Sequence, residues 1–181
     1  MAYIICAGIW AAIFFAWLIP VIKKRMYHEI YEACGIGIMF SLIILGDMLW
    51  KSGDILPLRY TGYVLYIPGA IFVISSFMSL KHKGKPKSGW EHTTVLIEGG
   101  IFRIVRHPLY LGSAFFTIGI ILILQSIQAT LLGLVAIFCF WMTSKKEEEF
   151  NMKKFGDAYI KYMKRVPIWN FLKGLYRLTK R

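Results

Sequence analysis

Five long apolar segments, each bounded by polar residues, dominate the pattern of this sequence. They span residues 3–22, 30–50, 60–80, 109–125 and 127–143. Each comes close to the roughly 20 residues that a helix needs to cross a bilayer, so the pattern predicts five transmembrane helices. The last two segments are separated only by Ser126 and its neighbours, which predicts a tight helical hairpin. The first segment has no basic start and is too long for a typical signal sequence, so we interpret it as a retained span.

The composition supports a membrane protein. Of the 181 residues, 57% are hydrophobic, and the mean hydropathy is +0.55, which is more apolar than an ordinary soluble domain. The formal net charge of +12 suits nucleic acid or an anionic membrane surface, and the hydrophobicity favours the membrane and excludes nucleic acid as a partner. The three cysteines lie inside apolar segments, which argues against disulfides or a zinc site, and no metal-ligand spacing is found. We therefore predict one all-α integral membrane domain over residues 1–181.

The basic residues predict the orientation of the chain in the membrane. With the N-terminus outside, twenty of the 22 Lys and Arg residues fall on the cytoplasmic side, and only Lys51 and Arg59 face out. The positive-inside rule therefore places the C-terminus and the long segment 81–108 in the cytoplasm. Because the fourth and fifth helices form a hairpin, the polar segments that flank them emerge side by side. We expect a cytosolic cofactor pocket between these two helices and their flanking segments.

The stretch GGIFRIVRHPLYLGS, residues 99–113, places polar groups where the chain enters the fourth segment. Proline is tolerated in the first turn of a helix, so Pro108 predicts the start of the helix and His107 its cap. A helix N-terminus carries free amides and partial positive charge, and Arg106 and His107 add donors there. This corner would suit a carboxylate or phosphate. The alternative is an Arg–His pair that reaches out to lipid headgroups, and the residues alone do not decide between the two.

Three consecutive acids, Glu147 to Glu149, follow the fifth segment, in a chain that has only ten acids. Such a run is usually a solvated face, which is one interpretation. The other is that a single acid turns into the pocket and binds hydroxyl or ammonium groups, since consecutive side chains on a helix point in different directions.

Two amphipathic helices are predicted after the acids. In FGDAYIKYM, Phe155, Tyr159 and Tyr162 fall on one helical face, which should pack against the bundle. The tail 168–181 mixes aromatic and aliphatic residues with basic ones, which is typical of a helix that lies in the membrane interface. We predict a structural role for this tail.

The pattern LIEGGIFRIVRHPLYLG, followed about 35 residues later by KEEEFNMKKFGDAYIKYMKRVP, resembles the isoprenylcysteine carboxyl methyltransferase family. The related phospholipid N-methyltransferases share a looser version. The resemblance covers residues 93–167, which we interpret as a methyltransferase core. It implies an integral membrane enzyme that uses S-adenosylmethionine in a pocket on the cytosolic side.

The resemblance also assigns roles to individual positions. Phe102 stands where the family often has tyrosine, and Thr143 stands where a substrate-side arginine has been assigned. A carboxylate acceptor needs no base, whereas a thiol, phenol or amine needs one, and His107 is the nearest candidate. We predict His107 and Arg106 as the catalytic residues and Thr143 as the substrate position. The implied cofactor-binding residues are Thr94, Val95, Leu96, Ile97, Phe102, His107, Pro108, Leu109, Tyr110, Glu147 and Glu148.

These features predict a multi-pass membrane methyltransferase, in the cell membrane if the source is prokaryotic, with its active site on the cytoplasmic side. The expected acceptor is a lipophilic small molecule or lipid, such as a prenylcysteine-like carboxylate, and no obligate protein partner is indicated. A phospholipid amine or a small thiol is the alternative acceptor. A membrane reductase of related fold is less favoured, because the sequence shows no arginine cluster for a nucleotide phosphate. A scaffold or small transporter is less favoured, because no ionisable residue lies at mid-bilayer.

Overall fold

The structure is a computed structural model that describes residues 1–19, 28–49, 53–84 and 94–180. Several predictions fall outside these residues. They concern the segment ends at 20–22 and 50, the basic residues 23–25, 51, 85 and 87, the core boundary at 93, and residue 181.

Helices joined by turns make up the described chain, as the sequence predicts. They are α1 (Ala2–Ala12), which continues as a π-helical stretch (Ile13–Leu18), α2 (His28–Leu45) with a 3-10 turn (Gly46–Met48), α3 (Leu56–Lys83), a 3-10 turn (Gly100–Arg103), α4 (Pro108–Leu124), α5 (Ile127–Phe155), α6 (Asp157–Arg165) and α7 (Phe171–Thr179). Within this part of the chain the all-α prediction is confirmed.

Two of the described helices are long and apolar enough to cross a membrane, namely Leu56–Lys83 and Ile127–Phe155. The helices Ala2–Phe15 and Pro108–Leu124 are apolar but shorter. Large apolar side chains that recur every three or four residues along α3 are exposed, at Tyr60, Val64, Ile67, Ile71 and Ile74. Such a continuous apolar stripe on the surface marks a face that contacts lipid. The full count of five spans and their orientation stay predictions.

The predicted hairpin between α4 and α5 is confirmed. Gln125 ends α4 in the left-handed conformation, with φ of 47°, and Ser126 caps α5. The Gln125 side chain also binds the start of α3, because its Oε1 accepts from the Ile55 N–H at 2.6 Å and its Nε2 donates to the Ile55 carbonyl at 2.9 Å. This turn therefore fixes three helices relative to one another at the end remote from the acids.

Two pairs of glycines let α3 and α4 approach closely. A Cβ atom at Gly112 would lie 2.8 Å from the carbonyl oxygen of Gly69, and one at Gly119 would lie 2.8 Å from that of Gly62. Gly62 and Gly69 are seven residues apart on α3, and Gly112 and Gly119 are seven residues apart on α4. The two glycines of each helix therefore lie on the same face. Small residues at such contacts are typical of helices that pack in a membrane, where backbone approach replaces the hydrophobic driving force.

Helix α4 packs against both α3 and α5, and α2 packs against α5. The N-terminal end of α4 is therefore surrounded by other helices. Tyr110, Ala136 and Phe140 form a buried apolar cluster at this end, with Leu109 and Trp169 against it. The polar residues of the corner before α4 lie next to this apolar cluster.

Candidate active site

A second backbone segment holds the corner before α4 in place. His107 is the N-cap of α4 and Pro108 opens the helix, as predicted. The N–H groups of Arg106 and His107 donate to the carbonyls of Pro167 and Ile168 at 3.0 and 3.4 Å. The start of the predicted tail therefore takes part in the corner, a role that the sequence did not indicate.

Arg106 and Glu148 form a buried ion pair that joins the corner to α5. The Arg106 Nε donates to Glu148 Oε1 at 2.7 Å, and the two side chains are only 9% and 6% exposed. Nη1 of Arg106 donates to the carbonyls of Met163, at 2.8 Å, and Val166. The alternative in which Arg106 reaches the lipid headgroups is therefore wrong, because its donors are engaged inside the protein. The geometry gives Arg106 a positioning role.

His107 is buried between two carboxylates. Its Nδ1 lies 3.5 Å from Glu147 Oε2 and its Nε2 lies 3.7 Å from Glu148 Oε1, and its ring stacks on Tyr110 with centroids 5.9 Å apart. Burial lowers the pKa of His107, but the two carboxylates outweigh burial, so the pKa is raised above its usual 6.5. The two carboxylates therefore favour the protonated form of the imidazole.

The expectation that a single acid turns inward is wrong. Glu147 and Glu148 diverge from α5 as neighbouring residues must, but His107 projects between them, so they reach opposite edges of one ring. The third acid, Glu149, is exposed and pairs with Lys146 at 3.0 Å. The solvated-face interpretation therefore holds for Glu149 alone.

Glu32 of α2 reaches the same place, and sequence reasoning missed it. Its Oε2 accepts from the Tyr110 hydroxyl at 3.2 Å, and the carboxylate is buried. The available signal was an acid near the start of the apolar segment 30–50, because ionisable residues in apolar segments are costly and are retained for a function or a partner. We call Glu32, Arg106, His107, Tyr110, Glu147 and Glu148 the polar cluster.

The structure places the other predicted residues around the polar cluster in different ways. Pro108 is fully buried, and Leu109 packs against the buried cluster of Tyr110, Ala136 and Phe140. The Thr143 hydroxyl is fully buried and donates to the Cys139 carbonyl at 2.9 Å, within its own helix.

The segment before the corner packs on α6. Thr94 and Val95 are exposed, whereas Ile97 is buried. Leu96 packs against the buried Tyr159 and Tyr162, which confirms the predicted apolar face of α6. Phe102 is attached to the same helix, because its carbonyl accepts from the Tyr162 hydroxyl at 2.7 Å. The predicted cofactor residues thus fall into two groups: those in or next to the polar cluster, and those of the partly exposed segment 94–102.

The balance of charge shows what the polar cluster could hold. Three carboxyl groups, those of Glu32, Glu147 and Glu148, surround one guanidinium and one imidazole. Glu147 is its most open acid, with a side chain 31% exposed, and its Oε1 accepts from Asn151 Nδ2 at 3.4 Å. S-adenosylmethionine fits this arrangement, because carboxylates suit its ammonium, sulfonium and ribose hydroxyl groups.

Comparisons with known proteins agree with the motif. A family model described as phospholipid methyltransferase matches residues 58–158, more than half of the chain. The chain belongs to the phospholipid methyltransferase family. The match includes Arg106, His107, Tyr110, Glu147 and Glu148 of the polar cluster, whereas Glu32 lies outside it.

Curated relatives confirm the resemblance that the motif indicated. The chain is 31% identical to the protein-S-isoprenylcysteine O-methyltransferase of Mus musculus over 140 residues, which cover 72% of this chain and 48% of that protein. The same figures hold for the protein of that name from Homo sapiens. The one from Schizosaccharomyces pombe is 30% identical over 96 residues, 52% of this chain and 40% of that protein. The chain spans about half the length of these relatives or less. No solved structure matches it.

Proposed function

We propose that this chain is an S-adenosylmethionine-dependent methyltransferase whose active site is the polar cluster, on the cytoplasmic side of the membrane. The observation that carries the proposal is His107, which is buried between Glu147 and Glu148 at 3.5 and 3.7 Å. Its Nε2 has no hydrogen-bond partner among the described residues. A buried polar group without a partner destabilises a protein, so this atom points to a polar ligand.

The residues of this chain would bind and orient the two reactants. When bound, the cofactor supplies a methyl group activated by a sulfonium for in-line displacement by the acceptor. Glu147, partly exposed, would hold the cofactor's ammonium or ribose hydroxyls, and the first turn of α4 its carboxylate. Arg106 holds Glu148 in place, so that both edges of His107 stay defined. Alignment of this kind can contribute about 7–11 kcal/mol to a reaction between two bound groups.

The acceptor that we propose is lipophilic and approaches from the membrane, between the apolar faces of the helices. The relatives are named for isoprenylcysteine, whose carboxylate is already nucleophilic and needs no base. This acceptor would need only positioning from the polar cluster, which agrees with the raised pKa of His107.

Thr143 favours a second acceptor class, a phospholipid amine or a small thiol. The side chain at this position is neutral, and its hydroxyl is engaged by Cys139, so it offers no cation to an acceptor carboxylate. An amine or thiol must lose a proton, and the raised pKa of His107 lowers the fraction of its imidazole that is free to accept one. Glu147 is the carboxylate of the polar cluster best placed to accept that proton, because it is partly exposed.

The test is calorimetric titration of the detergent-purified full chain with S-adenosylhomocysteine, the demethylated cofactor. The parent should bind, His107→Ala should lose binding while it stays folded, and Glu149→Ala, on the exposed face, should bind as the parent does. Transfer of labelled methyl groups from S-adenosylmethionine to an isoprenylcysteine analogue, phosphatidylethanolamine or a small thiol then identifies the acceptor. A parent that does not bind, or a His107→Ala variant that binds as well as the parent, would overturn the proposal.

A further inference from the structure

A second polar cavity lies beside α6 and α7 and is not part of the polar cluster. Its volume is about 50 Å³, and its lining comprises Glu98, Arg103, Tyr162, Arg165, Val166 and Arg177. This volume would hold about four water molecules. We call it the arginine cavity.

The arginine cavity carries an excess of positive charge. Three arginines line it, against one residue with a carboxylate. That carboxylate, Glu98, is already paired with Arg165, with Oε2 and Nη2 2.6 Å apart. Arg177 donates from Nη2 to the carbonyl of Arg103 at 2.7 Å, which brings two cationic residues together. Guanidinium groups held around one small space repel one another, so an anion between them would stabilise the arrangement.

The arrangement is a product of the fold. Arg103 precedes the corner, Arg165 ends α6 and Arg177 is near the end of α7, so the sequence shows no cluster. Close packing of α7 on the corner brings them together, because a Cβ atom at Gly174 would lie 2.0 Å from the Ile104 carbonyl oxygen. The sequence shows no arginine cluster for a nucleotide phosphate, and these three arginines come together only in the folded protein.

Helix α7 also indicates the depth of the arginine cavity relative to the membrane. Its outer face exposes Leu172, Leu175 and Tyr176, which are 66%, 44% and 60% exposed. Lys173 and Lys180 lie among them in the sequence. A helix with one exposed apolar face and flanking basic residues lies in the membrane interface, where phospholipid headgroups are at the same depth as its polar side.

We propose that the arginine cavity binds the phosphate group of an anionic membrane lipid, while the apolar face of α7 contacts the acyl chains. Guanidinium groups recognise phosphate by paired, charge-assisted hydrogen bonds, which a lysine-lined surface cannot reproduce. The site is separate from methyl transfer, and it would anchor α7 and the segment that supports the corner.

The test uses the detergent-purified full chain and short-chain, monomeric phosphatidylglycerol, with phosphatidylcholine and inorganic phosphate as the other two probes. Binding is followed by the shift in melting temperature as each probe is titrated. Arg103→Ala is the test variant, because the contact with Arg177 uses the Arg103 carbonyl and survives loss of the side chain. Lys173→Ala is the matched control, since it removes one positive charge from α7 outside the arginine cavity.

Phosphatidylglycerol should stabilise the parent at concentrations where phosphatidylcholine and inorganic phosphate have little effect. Arg103→Ala should weaken phosphatidylglycerol binding about tenfold, the effect of one charge-assisted hydrogen bond, and Lys173→Ala should change it less than twofold. Both variants should bind S-adenosylhomocysteine as the parent does, which separates this site from the proposed active site. Equal effects of the two variants, or full stabilisation by inorganic phosphate alone, would overturn the lipid assignment.

Discussion

The neighbouring acids Glu147 and Glu148 should have separable roles when each is replaced by alanine. Glu148 shares a buried ion pair with Arg106, in which the side chains are 6% and 9% exposed, so Glu148→Ala leaves an uncompensated guanidinium inside the protein. Removing one partner of such a pair destabilises a protein by about 3–5 kcal/mol. At about 2–4 °C per kcal/mol for a chain of this size, the melting temperature should fall by about 10 °C.

Glu147→Ala should behave differently, because the Glu147 side chain is 31% exposed and lies 3.5 Å from His107. Loss of this carboxylate removes a partly exposed contact with His107 but leaves the buried Arg106–Glu148 pair intact, so the melting temperature should fall by less than in Glu148→Ala. If Glu147 holds a cationic or hydroxyl group of the cofactor, affinity for S-adenosylhomocysteine should drop about tenfold or more. Intrinsic fluorescence on heating gives the first quantity, and calorimetric titration at a temperature where both variants are folded gives the second.

A double variant separates the buried charge from the packing. Arg106→Met combined with Glu148→Leu removes both charges together, so it should recover much of the stability that Glu148→Ala loses. If the two single variants lose the same stability and the same affinity, the division between a positioning acid and a binding acid is refuted. If the double variant is less stable than Glu148→Ala, the ion pair is not the source of the loss.

Three further predictions concern charge, packing and topology. Because the pKa of His107 is raised on folding, its contribution to stability is complete below about pH 6.5 and is lost as pH rises through the raised value. The melting temperature should therefore fall over that pH range, and His107→Gln should make the melting temperature less dependent on pH. Gly119→Ala places a methyl group 2.8 Å from the Gly62 carbonyl oxygen and should cost about 1–3 kcal/mol, whereas Gly8→Ala, with nothing within 4 Å, should be neutral in thermal unfolding. A cysteine added after residue 181 should resist an impermeant reagent applied outside intact cells, and strong labelling there would reverse the predicted orientation.

Local chemistry explains which parts could be predicted. Pro108 and His107 predict the start of α4, because proline suits the first turn of a helix independently of the rest of the fold. The buried face of α6 is visible in the spacing of its tyrosines. The extent of α5 is less visible, since the helix runs past the end of its apolar part to Phe155 and stops where Gly156 adopts a positive φ of 55°.

The contacts that define the site were not predictable in this way. Arg106 and Glu148 are 42 positions apart, and Tyr110 and Glu32 are 78 apart. No local pattern specifies which acid meets which base across such distances, because the pairing depends on how α2, α4 and α5 pack. The sequence therefore predicted the residue types at the corner. The packing decided that Arg106 is satisfied internally, while His107 Nε2 has no hydrogen-bond partner in the part of the chain that the structure describes.

The two backbone hydrogen bonds from Arg106 and His107 to Pro167 and Ile168 have a consequence for biosynthesis. Until residues 167 and 168 have been synthesised, the corner has no partner for its N–H groups, although α4 and α5 are already complete. A nascent chain interrupted before Val166 would also leave the Arg106 guanidinium without one of its carbonyl acceptors. The polar cluster therefore closes only after residues 166–168 have been added and have folded back onto the corner.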